Sequence, residues 1–133
     1  LGAVAACEGM IERTVTYTQE RQAFGQPISK FQNTRFVLAD LHAQVQVNKA
    51  FCAQCTDQYD RGELSTANAS IAKLTTTELQ GKVADQCLQL FGGYGYMKEY
   101  PISRDFVDAR IQRIYGGTSE IMKEIIARDI LGR

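Results

Sequence analysis

The sequence has no tryptophan, two prolines, a single histidine and no net charge, with fifteen Lys and Arg balancing fifteen Asp and Glu over 133 residues. Each scarcity excludes something. Balanced charge removes both the basic stripe of a nucleic-acid binder and the field that funnels an acidic substrate. No apolar run approaches the roughly 20 residues that span a bilayer. With His42 as the sole histidine and no second CxxC, Cys52-x-x-Cys55 lacks the further ligands of a zinc site. No stretch alternates polar and apolar residues as a strand does, and no repeat or low-complexity tract is present. The opening LGAVAACEGMIER could be mistaken for a signal peptide, but it lacks a basic flank and is broken by Glu8 and Glu12, which fits a signal peptide poorly. It reads as a helix already under way, with neither initiator Met nor N-cap before Leu1, and the chain is expected to be a piece of something longer.

What the sequence does contain is helical periodicity sized for one core. Val4, Cys7, Ile11 and Val15 form a first stripe, with the helix expected to end near Phe24-Gly25, where Gly25 supplies a left-handed C′ residue and Pro27 prevents continuation. Ser29-Lys-Phe-Gln32 reads as a capping box opening a second helix to about Tyr59. Its stripe is Leu38, Leu41, Val45, Cys52, Cys55 and Tyr59, with Asn48 as a polar interruption. Both CxxC thiols lie on that stripe and read as core. Four free thiols suit a reducing compartment. Ser65 or Thr66 caps a third helix carrying Ala72, Thr76, Leu79, Val83, Cys87 and Leu90, which stops at Gly92-Gly93. Asn48 and Gln86, polar within their stripes, are expected to bond locally. Pro101 opens a short helix to about Arg110, and Thr118 caps a last one with Ile121, Met122, Ile125, Ile126 and Ile130 on one side. Three long helices joined by short turns predict an all-α, up-and-down four-helix-type bundle in a single domain, 1–133.

Three segments exceed what a bare bundle needs. Glu20-Arg21-Gln-Ala-Phe24-Gly25 offers a guanidinium for a phosphate and an aromatic to cover a flat ring, although an Arg near a helix C-terminus is also simply favourable. Gln89-Leu90-Phe91-Gly92-Gly93-Tyr-Gly95-Tyr96 sets three glycines among aromatics, more than a C-cap requires. Tyr115-Gly116-Gly117-Thr118-Ser119-Glu120 places bare backbone before a helix N-terminus, whose free N–H groups favour anions and carbonyl oxygens.

Together, ERQAFGQPISKFQ, QLFGGYGYMKEYPISRDFVDARI and IYGGTSEIMKEIIARDIL resemble the C-terminal helical domain of the acyl-CoA dehydrogenases, most of all the long-chain and isovaleryl-type members. The resemblance covers nearly the whole chain, and the set is far more specific than any one block. It implies a flavoenzyme that desaturates acyl-CoA thioesters and passes electrons to an electron-transfer flavoprotein, in bacterial cytoplasm or mitochondrial matrix. It also implies a homo-oligomer, a dimer or tetramer, in which one FAD is held by two chains. Arg21 is implied at the pyrophosphate with Phe24 packing nearby, Gln32 approaching the cofactor, and Gln89, Leu90, Phe91, Gly92 and Gly93 along the adenine end. Thr118 and Glu120 are implied to contact FAD from their own subunit. The chain by itself is expected to be catalytically inert.

The chemistry removes a proton α to the thioester while a hydride leaves the β carbon, so it needs a carboxylate base and donors to the thioester oxygen. In many family members the base precedes the GT of the last turn, and here that residue is Gly116. The resemblance then implies a Glu one to two turns before Leu1, with Tyr115, Gly116 and Gly117 lining the substrate and the Gly116 N–H still donating to the thioester. Glu8 and Glu12 read as solvated, Glu99 as a structural hydrogen bond, and Asp108-Ala-Arg110 as an ion pair or cap contact. Two alternatives stay open: a related flavin monooxygenase lacking the base, and a non-catalytic helical interaction module.

Overall fold

The computed structural model describes residues 1–132. It contains α1 (Gly2–Glu20), a hairpin of β1 (Gln22–Ala23) and β2 (Gln26–Pro27), α2 (Gln32–Asp60), α3 (Thr66–Phe91), α4 (Pro101–Ile111) and α5 (Ser119–Leu131). Single turns of 3₁₀ helix, Ile28–Lys30 and Gly92–Tyr96, lead into α2 and out of α3. The all-α class expected from periodicity holds.

Side-chain contacts fix the helix directions. Lys49 donates to Glu8 at 2.8 Å, and Asn68 to Gln58 at 3.1 Å, so α2 runs antiparallel to both α1 and α3. Tyr17 stacks on Phe91 with ring centroids 4.1 Å apart, joining the C-terminal ends of α1 and α3. Helix α4 starts beside Phe91 through Tyr100 and ends where Arg113 reaches back to Glu78, so it returns along α3. Helices α1 to α4 thus form the up-and-down set, with α3 touching every other helix, α5 included.

That central position explains the composition of α3. It buries Ala67, Ser70, Thr76, Thr77, Gln80 and Ala84 besides Leu79, Val83 and Cys87, more than one stripe. Small residues let four neighbours approach, and the threonines satisfy themselves locally: Thr76 donates to Ala72 O at 2.7 Å and Thr77 to Lys73 O at 2.8 Å. Asn48 likewise donates to Gln44 O at 3.1 Å. Gln86, expected to do the same, has a buried Oε1 with no partner. The core joins Val4, Cys7, Met10 and Ile11 to Leu41, Val45, Cys52, Val83, Cys87 and Ile102. All four cysteines are buried and free. Burial raises the Cys55 thiol, with Cys52 beside it adding to the effect, which is the reverse of an activated CxxC.

Several boundaries differ from expectation. Helix α1 ends at Glu20, with Arg21 extended at φ −69°, ψ 123°. Phe24 (φ 51°) and Gly25 (φ 79°) then form a left-handed pair, the arrangement a two-residue hairpin turn requires. Gly25 therefore serves a β-turn rather than a helix C-cap, and two-residue strands are too short to leave a periodic trace. The Ser29–Gln32 capping box does not form, because Ser29 lies inside the 3₁₀ turn and Phe31 occupies the N-cap without a side-chain bond. Tyr59, Ile121 and Ile130 are exposed, each near a helix end where the chain leaves the core. Among the described residues Asp108 and Arg110 form no ion pair and Glu99 no side-chain hydrogen bond; Arg113, one turn past Arg110, makes the contact back to α3. Glu8 pairs with Lys49 at 2.8 Å rather than standing free. The other caps are as read: Ser65 accepts from Asn68 N at 3.0 Å, and Thr118 accepts from Ile121 N at 3.3 Å.

Candidate functional site

Two of the three unusual segments meet at one end of the bundle. The C-terminus of α1, the hairpin exit and the C-terminus of α3 enclose a concavity of about 600 Å³ whose lining includes Arg21, Gln89, Leu90, Phe91, Gly92 and Gly93. Arg21 is exposed, has no acidic partner among the described residues, and holds its guanidinium 5.6 Å from the centroid of Tyr94. The backbone opposite is bare. A Cβ on Gly92 or Gly93 would meet no atom within 4 Å, and Gly93 has no positive φ to explain it. Nothing within the chain asks for glycine at 93, whereas Gly95 is a packing glycine whose Cβ would fall 2.6 Å from Leu88 O.

Phe91 borders the concavity but spends its ring on the core, stacked on Tyr17, whose hydroxyl donates to Phe91 O at 3.3 Å. Burial pushes the Tyr17 phenol up against the lowering pull of Arg21, so it remains a donor. Phe24 and Gln32 lie outside this lining. Phe24 is 97% exposed on the hairpin tip, edge-on to Phe31 at 6.2 Å, in a left-handed conformation that costs a non-glycine residue about 1–2 kcal/mol. A strained, fully exposed aromatic is a feature found at ligand and partner contacts. Tyr17, Tyr94 and Met97 also line the concavity. Periodicity could not reveal Tyr17, whose spacing assigns it only to α1.

The third segment is a separate site. Residues 112–118 turn from α4 into α5, with Gly116 at φ 63° and Gly117 at φ 105°. A side chain on Gly116 would meet no atom within 4 Å, so the backbone there stands open. Helix α3 holds the turn: Lys73 donates to Gly117 O, Glu78 accepts from Arg113 at 3.0 Å and from Ser119 at 2.6 Å, and Ser119 N donates to Arg113 O at 3.1 Å. These contacts hold Glu78 below the usual carboxylate range, Ser119's hydrogen bond first and the Arg113 bond and charge next. Thr118 and Glu120 line a small polar hollow with Arg110 and Arg113, and Thr118, having accepted from Ile121 N, keeps its own proton to donate. Tyr115 faces another recess of about 530 Å³, shared with Leu1, Lys73, Thr77 and Gln80. The Gln80 Oε1 is buried there without a partner. From Glu78, which anchors this turn, to Gln89 in the first concavity is eleven residues of α3, about 16 Å of helix. One chain therefore does not bring Thr118 and Glu120 to the side chains around Arg21.

An exposed arginine facing bare glycines at one helix end, and an open glycine turn before a capped helix at another, are two separate candidate sites on one bundle. The chain belongs to the acyl-CoA dehydrogenase family: the model of the acyl-CoA dehydrogenase C-terminal domain matches residues 1–131. Among curated relatives, the long-chain specific mitochondrial acyl-CoA dehydrogenase of Rattus norvegicus is 49% identical over 129 residues, 97% of this chain and 30% of that protein. Among solved structures, an acyl-CoA dehydrogenase from Geobacillus kaustophilus superposes with a TM-score of 0.94 at 38% identity, over 96% of this chain and 34% of that one. A glutaryl-CoA dehydrogenase from Mycobacterium smegmatis in complex with FADH2 gives 0.96 at 27% identity, over 99% and 34%. The chain thus spans about a third of the length of the proteins it matches. No helix among the described residues is long and apolar enough to cross a membrane.

Proposed function

We propose that this chain is the helical C-terminal domain of an FAD-dependent acyl-CoA dehydrogenase and works only within the larger enzyme. The observation that carries the reading is the pairing of Arg21, charged, exposed and unpartnered, with the open backbone of Gly92-Gly93 in one concavity. That pairing fits a cofactor with an anionic pyrophosphate and a flat adenine ring. Arg21 holds the phosphates, Gln89 to Gly93 lie along the adenine end, and Phe24 and Gln32 close over from the hairpin side. Thr118 and Glu120 contact the FAD of their own subunit, whereas Arg21 and Gln89 to Gly93 reach the FAD of a neighbouring subunit in a dimer or tetramer, a division that agrees with the distance between the two groups. FAD held in this way supplies the hydride acceptor.

The turn supplies polarisation. The Gly116 N–H donates to the thioester oxygen, lowering the cost of removing the α proton, and Tyr115 and Gly117 border the acyl chain. Glycine at 116 leaves the base to a carboxylate one to two turns before Leu1. Leu1 and Tyr115 line one recess, which fits a base supplied from that side of the turn. Electrons leave to an electron-transfer flavoprotein, in bacterial cytoplasm or mitochondrial matrix.

The test is Arg21→Ala in the intact protein. Arg21 makes no side-chain hydrogen bond or ion pair among the described residues, and its contact with Tyr94 is worth about 1 kcal/mol or less, so helicity is expected to stay unchanged and melting to move little while flavin content falls. Unchanged flavin content would shift support to a helical interaction module, and flavin binding without acyl-CoA oxidation to a monooxygenase.

A further inference from the structure

We propose that Glu78 is a positioning residue for the acyl-CoA reaction, a carboxylate latch on α3 that sets the orientation of the Gly116 N–H; this rests on the dehydrogenase reading above. The turn cannot hold its own geometry. Gly116 and Gly117 both sit at positive φ, and glycine surrenders more backbone freedom than any other residue when it is ordered. Restraint must come from outside, and α3 provides it on both flanks. One Glu78 oxygen accepts from Arg113 at 3.0 Å, three residues before Gly116, and the other accepts from Ser119 at 2.6 Å, three residues after it. Lys73, five residues earlier on the same helix, bonds the Gly117 carbonyl. A single rigid element therefore grips the turn before, within and after the two glycines.

Packing alone does not account for this arrangement. The Arg113 Nε is buried without an acceptor, a cost that an apolar side chain at that position avoids. The guanidinium packs directly on α3, where a Cβ on Gly81 would lie in ordinary contact at 3.4 Å from Cζ. The fold thus carries an orphan donor beside the Arg113–Glu78–Ser119 chain of contacts. A donor amide stabilises developing charge only if it already points at the oxygen, and small misplacements at such a site are expensive in rate.

The experiment uses the intact flavoenzyme with Glu78→Ala, Glu78→Gln and the milder Ser119→Ala. Two readouts accompany turnover. The first is the carbonyl stretch of a bound acyl-CoA whose β carbon is replaced by sulfur, which polarises but cannot lose hydride. The second is amide exchange at Gly116 and Gly117. Glu78→Ala is expected to lower kcat by about 10- to 100-fold with KM within about threefold, to move the carbonyl band toward that of free thioester, and to speed exchange in the turn. Glu78→Gln, which keeps an acceptor for Ser119, recovers part of each, and Ser119→Ala shows smaller changes in the same direction. An unmoved carbonyl band, or unaltered exchange at Gly116 and Gly117 in a folded variant, overturns the proposal. A parent enzyme that never oxidises acyl-CoA sinks the underlying reading instead, and the exchange rates then still decide whether Glu78 orders the turn.

Discussion

Identical residues do different work within the segment Gly92-Gly93-Tyr94-Gly95. Gly92 turns the chain at φ 60°, Gly95 is squeezed against Leu88, and Gly93 has neither constraint. A paired substitution separates these roles. Gly95→Ala forces a Cβ to within 2.6 Å of a backbone carbonyl and is expected to cost about 1–3 kcal/mol in thermal or denaturant unfolding. Gly93→Ala is expected to leave stability within about 0.5 kcal/mol while lowering flavin retention in the intact protein. Equal stability for the two variants would contradict the packing assigned to Gly95. The sequence shows a glycine cluster and its proximity to aromatics; it does not show which glycine faces outward, because that depends on Leu88 returning beneath the 3₁₀ turn. Phe91 carries the same lesson. Its place in the motif puts it at the edge of the concavity, yet its ring is committed to Tyr17, 74 residues away.

Elements were legible where one local rule decides them. Ser65, Pro101 and Thr118 each mark a helix start through capping or fixed φ, and the structure begins α3, α4 and α5 beside them. The hairpin was illegible because two-residue strands carry no period, and the supposed capping box lost to a 3₁₀ turn with its own hydrogen bond from Phe31 N to Ile28 O at 3.2 Å. The grip of α3 on the glycine turn was illegible for another reason: its contacts join residues 35 to 44 positions apart. That grip has a pH signature. Glu78 is held below its ordinary value of 4.5 by Ser119 and Arg113, with Lys123 adding its charge. Its contribution is therefore complete above that value and lost as pH falls through the lower native one. Amide protection at Gly116 and Gly117 is expected to fall only below pH 4.5, and there before that of the α3 core, as read by exchange. Simultaneous loss at both places would show that the turn is held by something other than this carboxylate.

At the scale of the molecule, the core is closed to thiol chemistry and the two candidate sites lie open at the surface. Burial, with the Cys87 thiol and Glu8 close by, pushes Cys7 up to about 12. Because the unfolded thiol titrates near 9, this contribution is complete below that pH and is lost as pH rises toward 12. Native protein at pH near 8 is expected to react with a thiol reagent only as fast as it opens, with the rate rising in denaturant; rapid labelling of Cys7 or Cys87 would contradict the burial. The two candidate sites make a sharper demand. Glu78, which anchors the turn before Thr118 and Glu120, and Gln89, beside Arg21 and Gly92-Gly93, are about 16 Å apart along α3, and the proposed shared site assigns the two ends to different flavins. Hybrid oligomers of the intact enzyme test this directly. If one subunit carries Arg21→Ala and its partner Thr118→Ala with Glu120→Ala, a shared-site dimer assembles one doubly damaged site and one intact site. Flavin content is then expected to return to about half of the parent value, although each variant alone binds poorly. If both candidate sites served one flavin within a single chain, every site in the hybrid would stay damaged and no recovery would be seen. The outcome depends on which chain supplies each residue rather than on how strongly each binds, so partial affinities cannot imitate it.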